Sequence, residues 1–134
     1  RVGRVEDTLA GIKAAIEADF RQVKINCVIA ASPEEPDARD VADYGRKLGL
    51  QVRFIRRMDT AAGEFHQVIG GTGGLCSQCN RLRVTSDGMV YPCLFSDAFY
   101  SIRAMGAEAA LRAAVTGKPA AGEKSKNRFY AIGG

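Results

Sequence analysis

No apolar run in this chain is long enough to cross a bilayer, and no signal-peptide pattern stands at its start. Both absences argue against membrane and secreted classes, so a cytoplasmic location is expected. No basic run is interleaved with aromatic residues, which argues against nucleic acid as a partner. There is no internal repeat and no low-complexity tract. Histidine occurs once, at His66, so histidine can supply at most one ligand to a metal. Methionine is absent from the first position. The chain begins at Arg1 and is read as a fragment or a processed product.

What remains is a chain of 134 residues with a formal net charge of +4. That length suits one ordinary domain, or two small pieces sharing a core. A modest positive balance fits a site for a small polyanion, such as a nucleoside triphosphate, built from a few converging Lys and Arg side chains. The four cysteines raise the possibility of disulfides. The missing secretory signal and the CxxC pair favour a metal or redox site instead. Cys27 lies in the apolar run Val23–Ala30 and reads as an inert buried thiol.

The most informative stretch is Cys76-Ser77-Gln78-Cys79-Asn80-Arg81-Leu82-Arg83, followed by Cys93, a C-x2-C-x13-C spacing. A CxxC turn sets two thiolates on one side of a tight loop. A hairpin can return the third. Soft thiolates select zinc or iron–sulfur iron over hard cations, and three ligands leave one tetrahedral position open. A zinc site completed by His66 is chemically sensible. Against it, Arg81 and Arg83 place two cations beside the metal without structural need. By alternation they share one strand face, either a solvated face or a polyphosphate clamp.

Helices are expected over Asp7–Asp19, capped by Asp7 or Thr8, over Asp37–Leu48, and over Ala104–Thr116. Strands are expected over Gln22–Ala30, covered on both faces, and over Leu50–Met58. The helix–strand–helix–strand order is the pattern of βαβ units in a parallel sheet or barrel. Ala61–Gly74 reads as a glycine-rich linker. Asp87-Gly88 marks a hairpin between Arg81–Thr85 and Met89–Tyr91. Gly117–Asn127 is small, polar and expected to be mobile. Lys24, a charge in an apolar strand, either snorkels from an edge or points into a barrel lumen at a phosphate. Met58 is a core residue or packs on a cofactor. Gly133 and Gly134 are a frayed end, or a tail threaded where only backbone fits.

These residues together resemble the C-terminal part of the radical SAM enzyme family of GTP 3′,8-cyclases, which open molybdenum cofactor biosynthesis. The likeness rests on Val23-Lys24-Ile25-Asn26, Arg53–Met58, the Cys76–Arg83 stretch with Cys93-Leu94-Phe95, and Ile132-Gly133-Gly134. It implies an α/β fold: the last βα units of an incomplete (β/α) radical SAM barrel over residues 1–60, then a small cluster-binding domain and tail over 61–134. It implies that Cys76, Cys79 and Cys93 hold an auxiliary [4Fe–4S] cluster whose open iron meets the purine of GTP. Lys24, Arg81, Leu82 and Arg83 would contact GTP. Met58 would lie beside S-adenosylmethionine, and Gly133 and Gly134 would enter the active site for the radical chemistry. A homodimer, an electron donor and a downstream cyclic pyranopterin monophosphate synthase are implied as partners.

Two departures stand beside the likeness. The CxxxCxxC loop for the S-adenosylmethionine-cleaving [4Fe–4S] cluster is absent from this chain, so alone it cannot generate a 5′-deoxyadenosyl radical. The Met58–Cys76 segment is shorter than is typical, and Arg56 stands where the family usually has Glu. A radical SAM maturase with another substrate, and a zinc-binding module without catalysis, are the alternatives.

Overall fold

The computed structural model describes residues 3–128 and 131–132; Gly133 and Gly134 lie outside the described residues. The fold is mixed α/β. Among the described residues it has helices α1 (Val5–Glu17), α2 (Pro36–Lys47), α3 (Ile102–Met105) and α4 (Ala107–Thr116), and strands β1 (Lys24–Ile29), β2 (Gln51–Arg56), β3 (Arg83–Val84), β4 (Met89–Tyr91) and β5 (Tyr100–Ser101). No helix among them is long and apolar enough to cross a membrane. The chain forms two compact units. One runs to Ile55 and takes in Ile69–Gly71; the other holds Arg56–Val68 and the chain from Thr72 onward.

In the first unit β1 and β2 are neighbours in a two-stranded sheet, joined through α2. Pro36 opens α2, where its missing N–H is harmless. Just before it, the Glu35 carboxylate accepts from the N–H groups of Ala30, Ala31 and Ser32 at 3.2, 2.6 and 3.0 Å. This ties the end of β1 to the start of the helix. α1 begins at Val5 without a side-chain cap. Glu6 and Asp7 sit instead in its first turn, where negative charge suits the helix dipole.

The expectation that β1 is covered on both faces does not hold. Ile25 and Cys27 are half-buried and Ile29 is buried, whereas Lys24, Asn26 and Val28 are exposed, Val28 at 67%. The cause is layer count: two strands with α2 packed on them have one covered face. No residue of α1 is buried. The glycine-rich stretch is also more than a linker. Phe54 and Ile69 exchange two backbone hydrogen bonds of 3.0 Å, and the Gln51 amide donates to Gly70 O at 2.9 Å.

The second unit is built on the three-stranded order β3-β4-β5. Arg83 pairs with Tyr91 and Val84 with Val90, antiparallel; Val90 then pairs with Tyr100. The Asp-Gly turn predicted from sequence forms, with Gly88 N–H donating to Thr85 O at 2.9 Å. The single helix expected over Ala104–Thr116 is broken at Gly106, whose φ is 81°. Among the described residues two apolar clusters hold the unit. Val90, Ala110 and Ala114 are fully buried, with Leu82, Tyr100 and Ile102 against them. Leu94, Phe95 and Ile132 form the second, with Met58, Phe65, Tyr91 and Cys93 around it.

Gly117–Asn127, expected to be mobile, is fastened at several points. Glu123 N–H donates to Phe95 O at 2.8 Å, and Asn127 Nδ2 donates to Leu94 O and Ser96 O at 3.1 and 2.6 Å. The Asp97 carboxylate accepts from Lys126 N–H at 2.7 Å and from the Ser125 hydroxyl at 2.9 Å. Those two donors, the Lys126 N–H first, hold the Asp97 carboxyl below its ordinary range. A folded-state pKa below the unfolded value means the contribution is present above about pH 3.9 and is lost as pH falls through the lower folded value. Thermal midpoints of wild type and Asp97→Ala should therefore differ near neutrality and converge in acid. A gap that stays constant down to strong acid would show that the Asp97 charge plays no part.

Candidate metal and anion site

The site is built from four pieces of the second unit. The first is the turn Cys76–Gln78, a single 3-10 turn closed by Cys79 N–H donating to Cys76 O at 3.1 Å. Gly74 leads into it with φ +84°, and a Cβ there would overlap the His66 carbonyl. The second piece is Arg81–Arg83 entering β3. The third is Pro92-Cys93, leaving β4. The register pairs Arg83 with Tyr91, so both cysteine-bearing segments reach the same open end of the hairpin. The fourth is Lys118, one residue past the glycine that ends α4. Its ammonium donates to Arg81 O and Pro92 O, at 2.6 Å each.

The thiols differ. Burial pushes the Cys79 thiol up, but the Arg81 N–H and the charges of Lys118 and Arg81 outweigh it and hold the thiol below its ordinary value. Burial, then the nearby Glu35 and Asp37 charges, pushes the Cys27 thiol up. Cys27 sits on β1 in the other unit and is not part of the motif. Cys76, Cys79 and Cys93 are free and half-buried. Among the described residues no three His, Cys, Asp or Glu side chains form a group able to hold a metal ion. The segments after Cys79 and before Cys93 thus meet at one hairpin end, but among the described residues the thiols are not closed into a ligand set, and exposed His66 does not complete one. The chemistry of the donors still fits a cluster: three soft thiols, one of them favoured as thiolate, with cations beside it.

The arginines are employed differently. β3 is only two residues long, so Arg81 precedes it; its guanidinium donates to Thr72 Oγ1 at 3.1 Å. Arg83 Nε is buried with no hydrogen-bond partner. Such donors are rare, because burial without an acceptor costs about 1–3 kcal/mol. Leu82, between them, packs into the Val90–Ala110–Ala114 cluster. Met58 lies past β2 and packs with Leu94, Phe95 and Ile132, the core placement. Ile132, 4% exposed, belongs to the same cluster as Cys93 packs against. Lys24 is exposed on β1 in the first unit, where Arg53 Nε is also buried without a partner. Sequence reasoning missed Lys118. Only its place behind Gly117 at a helix end could have pointed to it.

Comparison with curated proteins gives the same family name repeatedly. A protein from Moorella thermoacetica is 31% identical over 148 residues, covering 77% of this chain and 46% of its own length. Proteins from Heliobacterium modesticaldum and Thermodesulfovibrio yellowstonii are each 27% identical, covering 72% and 77% of this chain and 44% and 46% of their own lengths. All three are named GTP 3′,8-cyclase. The chain resembles a part of GTP 3′,8-cyclase. It spans about half the length of the curated cyclases it matches. The match of 148 residues is longer than the 134-residue chain, yet takes in only 77% of it, so the Moorella cyclase carries residues along that stretch that this chain lacks. No family model matches, and no solved structure matches.

Proposed function

We propose that the chain is the C-terminal part of a GTP 3′,8-cyclase, the radical SAM enzyme that rearranges GTP to its 3′,8-cyclic product in molybdenum cofactor biosynthesis. Residues 1–60 supply the last βα units of its barrel, and 61–134 the cluster- and GTP-binding part. Cys76, Cys79 and Cys93 hold the auxiliary [4Fe–4S] cluster, which when bound offers an open iron to the purine. Arg81 and Arg83 receive the triphosphate, and Leu82, seated against Val90, Ala110 and Ala114, lines the GTP site between them. Lys24 enters as a further GTP contact from the family resemblance alone. Met58 contacts S-adenosylmethionine in the complete enzyme. Gly133 and Gly134 act in the chemistry; the residue before them is buried in the cluster that Cys93 packs against.

The observation that carries this reading is Arg83. Its buried Nε lacks an acceptor, and its strand partner Tyr91 lies two residues before Cys93. A guanidinium donor without a partner, next to a thiol ligand, suits an arriving anion. Isothermal titration of GTP into the anaerobically reconstituted chain tests it. Arg83→Ala should weaken GTP binding by roughly 1.5–3 kcal/mol, the range for a charged hydrogen bond. Equal affinity in wild type and variant would remove Arg83 from the site.

A second reading is favoured by the residues that the Moorella cyclase has and this chain lacks. It is a radical SAM maturase with the same cluster and a different substrate. Full iron loading with no GTP binding would select it.

A further inference from the structure

We propose that Lys118 is a positioning residue, clasping the segment that follows Cys79 to the segment that precedes Cys93. The proposal rests on the reading of Cys76, Cys79 and Cys93 as one ligand set. Its ground is geometric. One ammonium bridges two carbonyls, Arg81 O and Pro92 O, at 2.6 Å each, from 37 and 26 positions away along the chain. Both carbonyls lie beyond the last strand pair of the hairpin, Arg83 with Tyr91. The ladder therefore does not hold this end together, and Lys118 does.

The fold delivers Lys118 to that point. Ala110 and Ala114 of α4 are fully buried against Val90 at the centre of the sheet. Small side chains allow this close seating of helix on strand. At the helix end Gly117 lies so close to the Tyr100 ring that a Cβ would overlap its hydroxyl. Lys118 N–H still bonds back to Val115 O at 3.3 Å. The lysine stem thus starts from a fixed place, and its reach to two carbonyls uses two of its three donors. Groups that orient ligands commonly carry a tenfold or larger share of metal affinity. A lysine placed only to neutralise solvent-facing carbonyls would not alter ligand affinity.

Cobalt(II) is the probe, titrated into the reduced, anaerobic chain and read by thiolate-to-cobalt charge-transfer absorption. Wild type should show the bands and Cys79→Ala should lose them. Lys118→Met, folded by circular dichroism, should bind cobalt roughly 10–100-fold more weakly. Lys118→Arg, which keeps the cation and its donors, should restore binding to within about threefold of wild type. Should Lys118→Met fail to fold, Lys118→Gln, which keeps an uncharged amide NH2, takes its place with the same expected loss. A neutral variant that folds and binds as tightly as wild type overturns the proposal while leaving the ligand set intact. Bands missing from wild type, or unchanged by Cys79→Ala, overturn the ligand set and the clasp with it.

Discussion

Cys79→Ala is expected to reduce iron and sulfide in the anaerobically reconstituted chain to background, while Cys27→Ala retains both. The two thiols are held in opposite electrostatic settings. Cys79 follows a closed turn and is favoured as thiolate by the Arg81 N–H and the charges of Lys118 and Arg81, against its own burial. Cys27 is disfavoured as thiolate by burial and by the carboxylates of Glu35 and Asp37. It also stands on β1, in the other unit. Neither change removes a fully buried side chain, since both cysteines are half-buried. Circular dichroism and the thermal midpoint of the metal-free variants should therefore stay near wild type. Loss of iron from Cys27→Ala as complete as from Cys79→Ala would end the three-ligand assignment.

Gly74→Ala should unfold the second unit more readily, and lose iron as a consequence. Gly74 has φ +84°, and the added Cβ would meet the His66 carbonyl and Gln67 Cα, both backbone. Backbone cannot rotate aside as a side-chain tip can. The left-handed conformation alone costs a non-glycine residue about 1–2 kcal/mol, and the overlap adds to it. A fall in midpoint of roughly 5–10 °C follows for a chain of this size. The contrast with Cys79→Ala is diagnostic: one variant loses iron with its fold intact, the other loses stability first. A Gly74→Ala protein as stable as wild type would mean that the approach of Gly74 to His66 does not set the entry to the cysteine turn.

Much of the fold was legible because its signals are local. Asp87-Gly88 specified its turn by backbone conformation alone, and the apolar spacing of α2 and α4 lies within single elements. The readings that failed depended on partners distant in sequence. β1 looked buried on both faces because Ile25, Cys27, Val28 and Ile29 are all apolar; pattern alone cannot say how many layers surround a strand. Tyr100-Ser101 is too short to announce itself, and becomes a strand only because Val90 and Met89 pair with it. Glu123–Asn127 has loop composition but is held by Asp97, Phe95 and Leu94, about 30 positions away. The C-x2-C-x13-C spacing is visible in the sequence alone. Lys118 is not marked there, because its relation to the thiols exists only once α4 is seated on Val90.

The central claim is that the thiols of Cys76, Cys79 and Cys93 hold an iron–sulfur cluster. Metal and acid-labile sulfide analysis of the chain, purified without oxygen and without added metal, tests it most directly. Iron and sulfide in equal amounts, with the absorption of a [4Fe–4S] cluster, is the expected result. One zinc per chain with no sulfide would contradict it and leave a zinc-binding module in its place.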